Sequence, residues 1–183
     1  MTVQFNVSQL LREPVGSRRQ YSLDDTFAPS EDPSLLVHVR GLVHALRTHR
    51  GILVQATLDS EATGECARCL QPRSFPLPLT LEDEYLPSVD PITGGRMPVH
   101  EEPGAFTIDE HHTLDLEDAL RQAWVVSMPM RVLCREDCAG LCPVCGANRN
   151  LGPCGCEVRT IDPRWGRLAA LRSRDLQDAQ EEN

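Results

Sequence analysis

The chain contains no lysine: all 18 of its Lys-plus-Arg residues are Arg. That excludes a lysine nucleophile, a Schiff-base lysine and the lysine of a Walker-type phosphate loop. A GC-rich coding sequence would produce the same bias without any functional cause. Aromatic residues are scarce, with two Trp, two Tyr and four Phe in 183 residues. The core is therefore expected to consist mainly of Leu, Val and Ala. No apolar run reaches the roughly 18 residues that a membrane-spanning helix needs. Residues 1–6 have neither a basic start nor an apolar stretch, so no signal peptide is expected and the address reads as cytoplasmic. Thiols stay reduced there, which favours metal ligation over structural disulfides.

The charge that is present is unevenly placed. Its sum is −9, which argues against a nucleic-acid-binding surface over the whole molecule. Residues 82–118 hold eleven acids and one Arg, whereas residues 131–174 hold eight Arg against Glu136, Asp137, Glu157 and Asp162. Local patterning predicts an α+β fold, an antiparallel β-meander with a few helices stapled by four-cysteine zinc sites. Residues 2–7 read as a short strand, and Ser8 caps a brief helix. Residues 18–23 read as a polar strand. Residues 35–46 and 52–58 form the clearest strand pair, with a bulge at Gly41. A strand at 75–81 carries two prolines that place it partly at a sheet edge. The spacing predicts a further strand at 106–108 and a helix over 114–127 capped by Asp115. Asp162-Pro163 opens a last helix over 164–176. The corresponding segments are a β-rich part (1–86), a flexible acidic insert (87–105) and a strand and helix packing on the β-rich part (106–133). A zinc-binding module (134–158) and a C-terminal helix with a disordered tail (159–183) complete what reads as one compact domain.

The chain is organised around residues 134–156, which hold six of its eight cysteines. Cys66-Ala-Arg-Cys69 and Cys142-Pro-Val-Cys145 have the C-x2-C spacing that supplies two metal ligands from one tight turn, with Gly146 allowing the second turn. Cys134 and Cys138 are spaced as one helical turn, and Cys154 and Cys156 as neighbours on one face of an extended segment. Four pairs match two zinc sites of four cysteines each. Loop closure favours joining Cys142, Cys145, Cys154 and Cys156, which leaves Cys66, Cys69, Cys134 and Cys138 for the other site. A rival pairing joins the two C-x2-C knuckles as in a zinc ribbon. Four-thiolate zinc has no open position and is structural. The spacing Cys138-x3-Cys142-x2-Cys145 imitates a radical-SAM motif, but only 38 residues follow Cys145, too few for the barrel which that chemistry requires. A rubredoxin-like iron site lacks an aromatic core here, and a thioredoxin-like use of Cys66-Ala-Arg-Cys69 lacks a βαβ setting. His38, His44, His49, His111 and His112 form no catalytic arrangement with Ser or carboxylates. The chain is not expected to be an enzyme or to take a small-molecule substrate.

The Cys66-Ala-Arg-Cys69-Leu-Gln-Pro stretch, the block Cys134–Cys156 and the closing Ile161-Asp-Pro-Arg-Trp-Gly-Arg-Leu-Ala-Ala-Leu resemble the YceD family, the large ribosomal RNA subunit accumulation proteins. The likeness covers nearly the whole chain, and Cys142-Pro-Val-Cys-Gly-Ala-Asn148 is its most specific part. Trp165-Gly166-Arg167 departs from the commonest closing motif. The resemblance implies a small factor needed for accumulation of 23S rRNA, hence for assembly of the large ribosomal subunit. Family members that lack most of the downstream cysteines yet keep the upstream pair favour the first of the two pairings. The resemblance names a process, and two mechanisms fit it. In one, Arg131, Arg135, Arg149, Arg159, Arg164, Arg167, Arg172 and Arg174 contact large-subunit rRNA or its precursor. In the other, the acidic 82–118 region holds a basic ribosomal protein or processing factor.

Overall fold

The structure of the chain, a computed structural model, describes residues 3–30, 35–97 and 104–156. The expected helix at 164–176 and Arg159, Arg164, Arg167, Arg172 and Arg174 lie outside the described residues. Two compact units are present: Met1–Glu65 with Pro72–Val132, and Cys66–Gln71 with Leu133–Asn183, within the residues described. The loop Cys66–Gln71 thus groups with the C-terminal cysteines rather than with the strands it connects.

The first unit is mostly antiparallel sheet, as the alternation of apolar and polar residues predicts. Its strands run β1 (Gln4–Asn6), β2 (Arg18–Phe27), β3 (Val37–Arg47), β4 (Ile52–Glu65), β5 (Pro72–Pro76), β6 (Leu79–Pro87), β7 (Phe106–Ile108) and β8 (Thr113–Asp115). The two helices among the described residues are α1 (Ser8–Arg12) and α2 (Glu117–Ser127). Sheet order is β2-β3-β4-β6-β7 with β5 also on β4, and β1 pairs with β8 separately. Among the described residues, only the β6–β7 pairing in the larger sheet is parallel. One face is buried at every second residue: Val37, Val39, Val43 and Ala45 on β3, then Ile52, Val54, Ala56 and Leu58 on β4. Leu120 and Trp124 of α2 join the same core, with Trp124 edge-on to Phe27 at 6.0 Å between ring centroids. Each fully buried Leu or Ile contributes about 1.5–3 kcal/mol. Among the described residues no helix is long and apolar enough to cross a membrane.

Several local expectations change. Pairing runs unbroken through Gly41, which faces Leu58. The glycine is needed for space, because a Cβ there would lie 2.7 Å from the Thr57 carbonyl oxygen. The strand expected at 75–81 is two strands, broken where Leu77 turns its N–H to the Ser60 carbonyl at 2.9 Å. Val7 rather than Ser8 holds the cap position of α1, and Ser8 instead donates its N–H and hydroxyl to Asn6 Oδ1. Leu116 holds the cap position of α2, yet Asp115 still satisfies the helix start by accepting the Glu117 N–H at 2.8 Å. Within the stretch expected to be a flexible insert, Val89 bridges Arg96, and Asp90 accepts the N–H groups of Ile92 and Thr93, both at 2.8 Å.

The chain reverses between β3 and β4 at Gly51. Its N–H bonds Thr48 Oγ1 at 2.9 Å, and its carbonyl accepts Arg47 Nη1 at 2.8 Å. A Cβ at Gly51 would lie 2.0 Å from the Tyr85 carbonyl oxygen. This is the closest such approach in the first unit's sheet.

Candidate metal centre

Both C-x2-C turns follow one hydrogen-bond plan. The Cys66 N–H donates to the Gln71 carbonyl and the Leu70 N–H to the Cys66 carbonyl, each at 2.9 Å. The Cys142 N–H donates to the Ala147 carbonyl at 2.8 Å and the Gly146 N–H to the Cys142 carbonyl at 2.9 Å. The plan requires a left-handed residue after the second cysteine. Gly146 meets that need at φ 73 without strain, whereas Leu70 is held at φ 58. A non-glycine residue is less favourable there by about 1–2 kcal/mol. Leu70→Gly is therefore expected to raise stability, by less than about 1 kcal/mol once the extra freedom of the unfolded glycine is subtracted. The urea midpoint checks it. An unchanged or lower midpoint would show that the Leu70 side chain, 56% exposed, contributes stability in another way.

Cys66, Cys69, Cys134 and Cys138 bring their sulfurs within 4.8 Å of one another, and Cys142, Cys145, Cys154 and Cys156 do the same. This is the pairing favoured by loop closure. All eight thiols are free. In the first group the Cys66 and Cys138 sulfurs are 3.9 Å apart, and the Cys69 and Cys134 sulfurs 3.7 Å. A tetrahedron of sulfurs about 2.3 Å from a zinc ion has edges of about 3.8 Å, so the donor set fits such an ion. Cys134–Cys138 achieves this through a turn, with the Cys138 N–H on the Arg135 carbonyl at 3.2 Å. Cys154–Cys156 is not extended as its spacing suggested, because Gly155 turns at φ 70.

The electrostatics point the same way. The Cys66 thiol is pulled down to about 6, foremost by the backbone N–H of Arg68 and then by those of Cys134 and Cys69. Cys134 is pushed up to about 12, foremost by its hydrogen bond with Cys138. In the second group the N–H groups of Cys145 and Val144 lower Cys142 to about 6, and the hydrogen bond with Cys145 raises Cys156 to about 12. In the first group Cys138 is also pulled down and Cys69 pushed up, so each group sets at least one thiol that ionises readily beside one that keeps its proton against neighbouring thiolates. A divalent cation would relieve that repulsion. The surroundings differ: Cys66, Cys69 and Cys138 are buried beside Leu133 and Leu141, whereas Cys145 is exposed.

Residues outside the cysteine set complete the first site. Arg68 Nη1 donates to the carbonyls of Glu136 and Cys138 at 2.9 and 3.0 Å, and the Arg68 carbonyl accepts the Leu141 N–H at 3.1 Å. Asn150 Nδ2 lies 3.4 Å from Cys138 Sγ. The sequence signal for these is slight, a short amide side chain two positions after Asn148. Of the Arg residues expected at an RNA surface, Arg131, Arg135 and Arg149 are described and exposed. Arg135 is already engaged, by Asp137 at 3.3 Å and Asn150 at 2.7 Å.

Comparison with known proteins agrees with this picture. The family described as large ribosomal RNA subunit accumulation protein YceD matches residues 54–172. Uncharacterized proteins of Mycobacterium tuberculosis and Mycobacterium bovis are 34% identical over 121 residues, 66% of this chain and 56% of theirs. One from Mycobacterium leprae is 28% identical over 130 residues, 71% of this chain and 57% of its own. The chain therefore spans little more than half the length of those relatives. No solved structure matches it. The family match takes in both C-x2-C turns and all eight clustered sulfurs, and this chain belongs to the YceD family of large ribosomal RNA subunit accumulation proteins.

Proposed function

We propose that the protein is a non-enzymatic ribosome-biogenesis factor, required for accumulation of 23S rRNA, whose two four-cysteine groups hold structural zinc and whose Arg residues contact large-subunit rRNA. The observation that carries this reading is the pair of closed four-sulfur groups in a member of a family described by rRNA accumulation. Four sulfurs around each ion leave no position for a substrate, so the metal would act as scaffold.

Among the described residues, most acids of 82–118 are engaged within the protein, which disfavours a role in holding a basic protein. Glu82 accepts from Gln55 Nε2 and Glu84 from Thr48 Oγ1. Glu117 and Asp118 pair with Arg121, and Asp109 accepts the N–H groups of His111 and Thr113. Arg131 and Arg149, by contrast, form no ion pair among the described residues.

The test is binding to precursor 23S rRNA across a salt series. Replacing Arg131 and Arg149 with Ala is expected to flatten the slope of log K against log salt by about one for each phosphate left without its Arg. Metal analysis should give two zinc per chain. Salt-independent binding, or a pull-down partner that survives RNase and depends on the acids, would overturn the RNA reading; iron or disulfides would overturn the zinc reading.

A further inference from the structure

The two four-sulfur groups share backbone and side-chain supports. The chain leaves the first group at Cys138 and reaches the second at Cys142, only four positions on. Between them Gly140 presses against the first C-x2-C turn, where an added Cβ would lie 3.0 Å from the Arg68 carbonyl oxygen. Leu141 donates its N–H to that same carbonyl, and bridges Asn148 in the loop that carries the second group. The Arg149 N–H returns to the Gly140 carbonyl at 2.9 Å.

Asn150 ties these parts together with one amide group. Its Nδ2 donates to Cys138 Sγ at 3.4 Å and to Asn148 Oδ1 at 2.7 Å. Its Oδ1 accepts the Ala139 N–H at 2.8 Å and Arg135 Nη2 at 2.7 Å. Its own N–H is held by Asn148 Oδ1 at 3.0 Å. The amide therefore responds to the position of a sulfur in one group and of the loop closing the other. Ordering the second group's loop fixes Asn150, which then holds Cys138 Sγ in place for the first group; ordering the first group fixes Asn150 and, through Asn148, the loop between Cys145 and Cys154.

We propose that Asn150 is a positioning residue that couples the two metal groups, so that a metal ion at one raises the affinity of the other. This rests on the reading that both groups bind metal. Coupling is reciprocal, so the factor is the same in either direction. A tenfold factor lies within the usual span of about 5–150-fold.

The test is a double-mutant cycle on the full chain, read by competition between the protein and a chromophoric chelator for zinc and by the absorption of cobalt in its place. Cys145→Ser, which breaks the second group, is expected to weaken the first about tenfold when Asn150 is present and negligibly when Asn150→Ala is present. Asn150→Asp keeps the acceptor for the Ala139 N–H and removes the donor to Cys138, and is expected to behave like Asn150→Ala. Native mass spectrometry of the unmutated chain at one zinc per molecule gives an independent measure. Coupling enriches the empty and doubly loaded forms over the corresponding Asn150→Ala sample. Two ions that bind with the same affinities whether or not the other group is intact would overturn the coupling and leave the metal reading standing. No bound metal at all would overturn both.

Discussion

Cys66→Ser at saturating zinc is expected to leave one metal ion per chain in place of two, with Cys142, Cys145, Cys154 and Cys156 still loaded. Cys66 has no exposed surface, and three backbone N–H groups are aimed at its sulfur. It is the thiol of its group most ready to ionise, whereas a serine hydroxyl in its place stays protonated. Zinc would lose one of four soft ligands at the most buried corner of its site. The β4–β5 hairpin itself should persist, because Glu65 still pairs with Pro72. Metal content by mass spectrometry decides the matter. Retention of both ions would show that Cys66 is no ligand, and loss of both would show that the groups are one site.

Gly51→Ala is expected to cost about 3 kcal/mol or more, at the upper end of what overpacking imposes. The clash is with backbone, at 2.0 Å from the Tyr85 carbonyl oxygen and 3.3 Å from the Leu86 Cα, so no side-chain rotation relieves it. Either β4 and β6 separate at Ile52 and Tyr85, which face each other, or the turn abandons its bonds to Thr48 and Arg47. For a chain of this size such a loss lowers the melting temperature by about 6–12 °C. Gly94→Ala is the control. Gly94 has a left-handed backbone, φ 69, but nothing lies within 4 Å of its would-be Cβ. Its cost should be about 1–2 kcal/mol, from conformation alone. Equal urea midpoints for the two variants would show that the sheet accommodates the extra carbon.

The cysteine grouping was legible in the sequence because loop closure is a matter of spacing. Cys145 and Cys154 are separated by few enough residues that joining them costs little entropy. The strand pair around Gly51 was equally plain, since alternation of Val, Ala and Leu has one reading in an antiparallel sheet. What stayed hidden depends on distances between backbones. Gly41 looks like a bulge until the Thr57 carbonyl is seen beside it, and nothing in the sequence shows that Leu70 takes the left-handed place that Gly146 fills in the second turn. Asn150 carries no signature, because its role comes from what lies within 3.4 Å of its amide. The acids of 82–118 suggested a free surface, whereas many are occupied by backbone N–H groups and by Arg121.

The first four-sulfur group has a consequence in time. Cys69 and Cys134 are 65 positions apart, and ribosomes add about 5–20 residues per second. After the first C-x2-C turn is made, about 3–13 s pass before its partners exist. A chain released in that interval carries only two of the four thiols that a tetrahedral ion in this group would take. The donor set of the first group is complete only once Cys138 has been made.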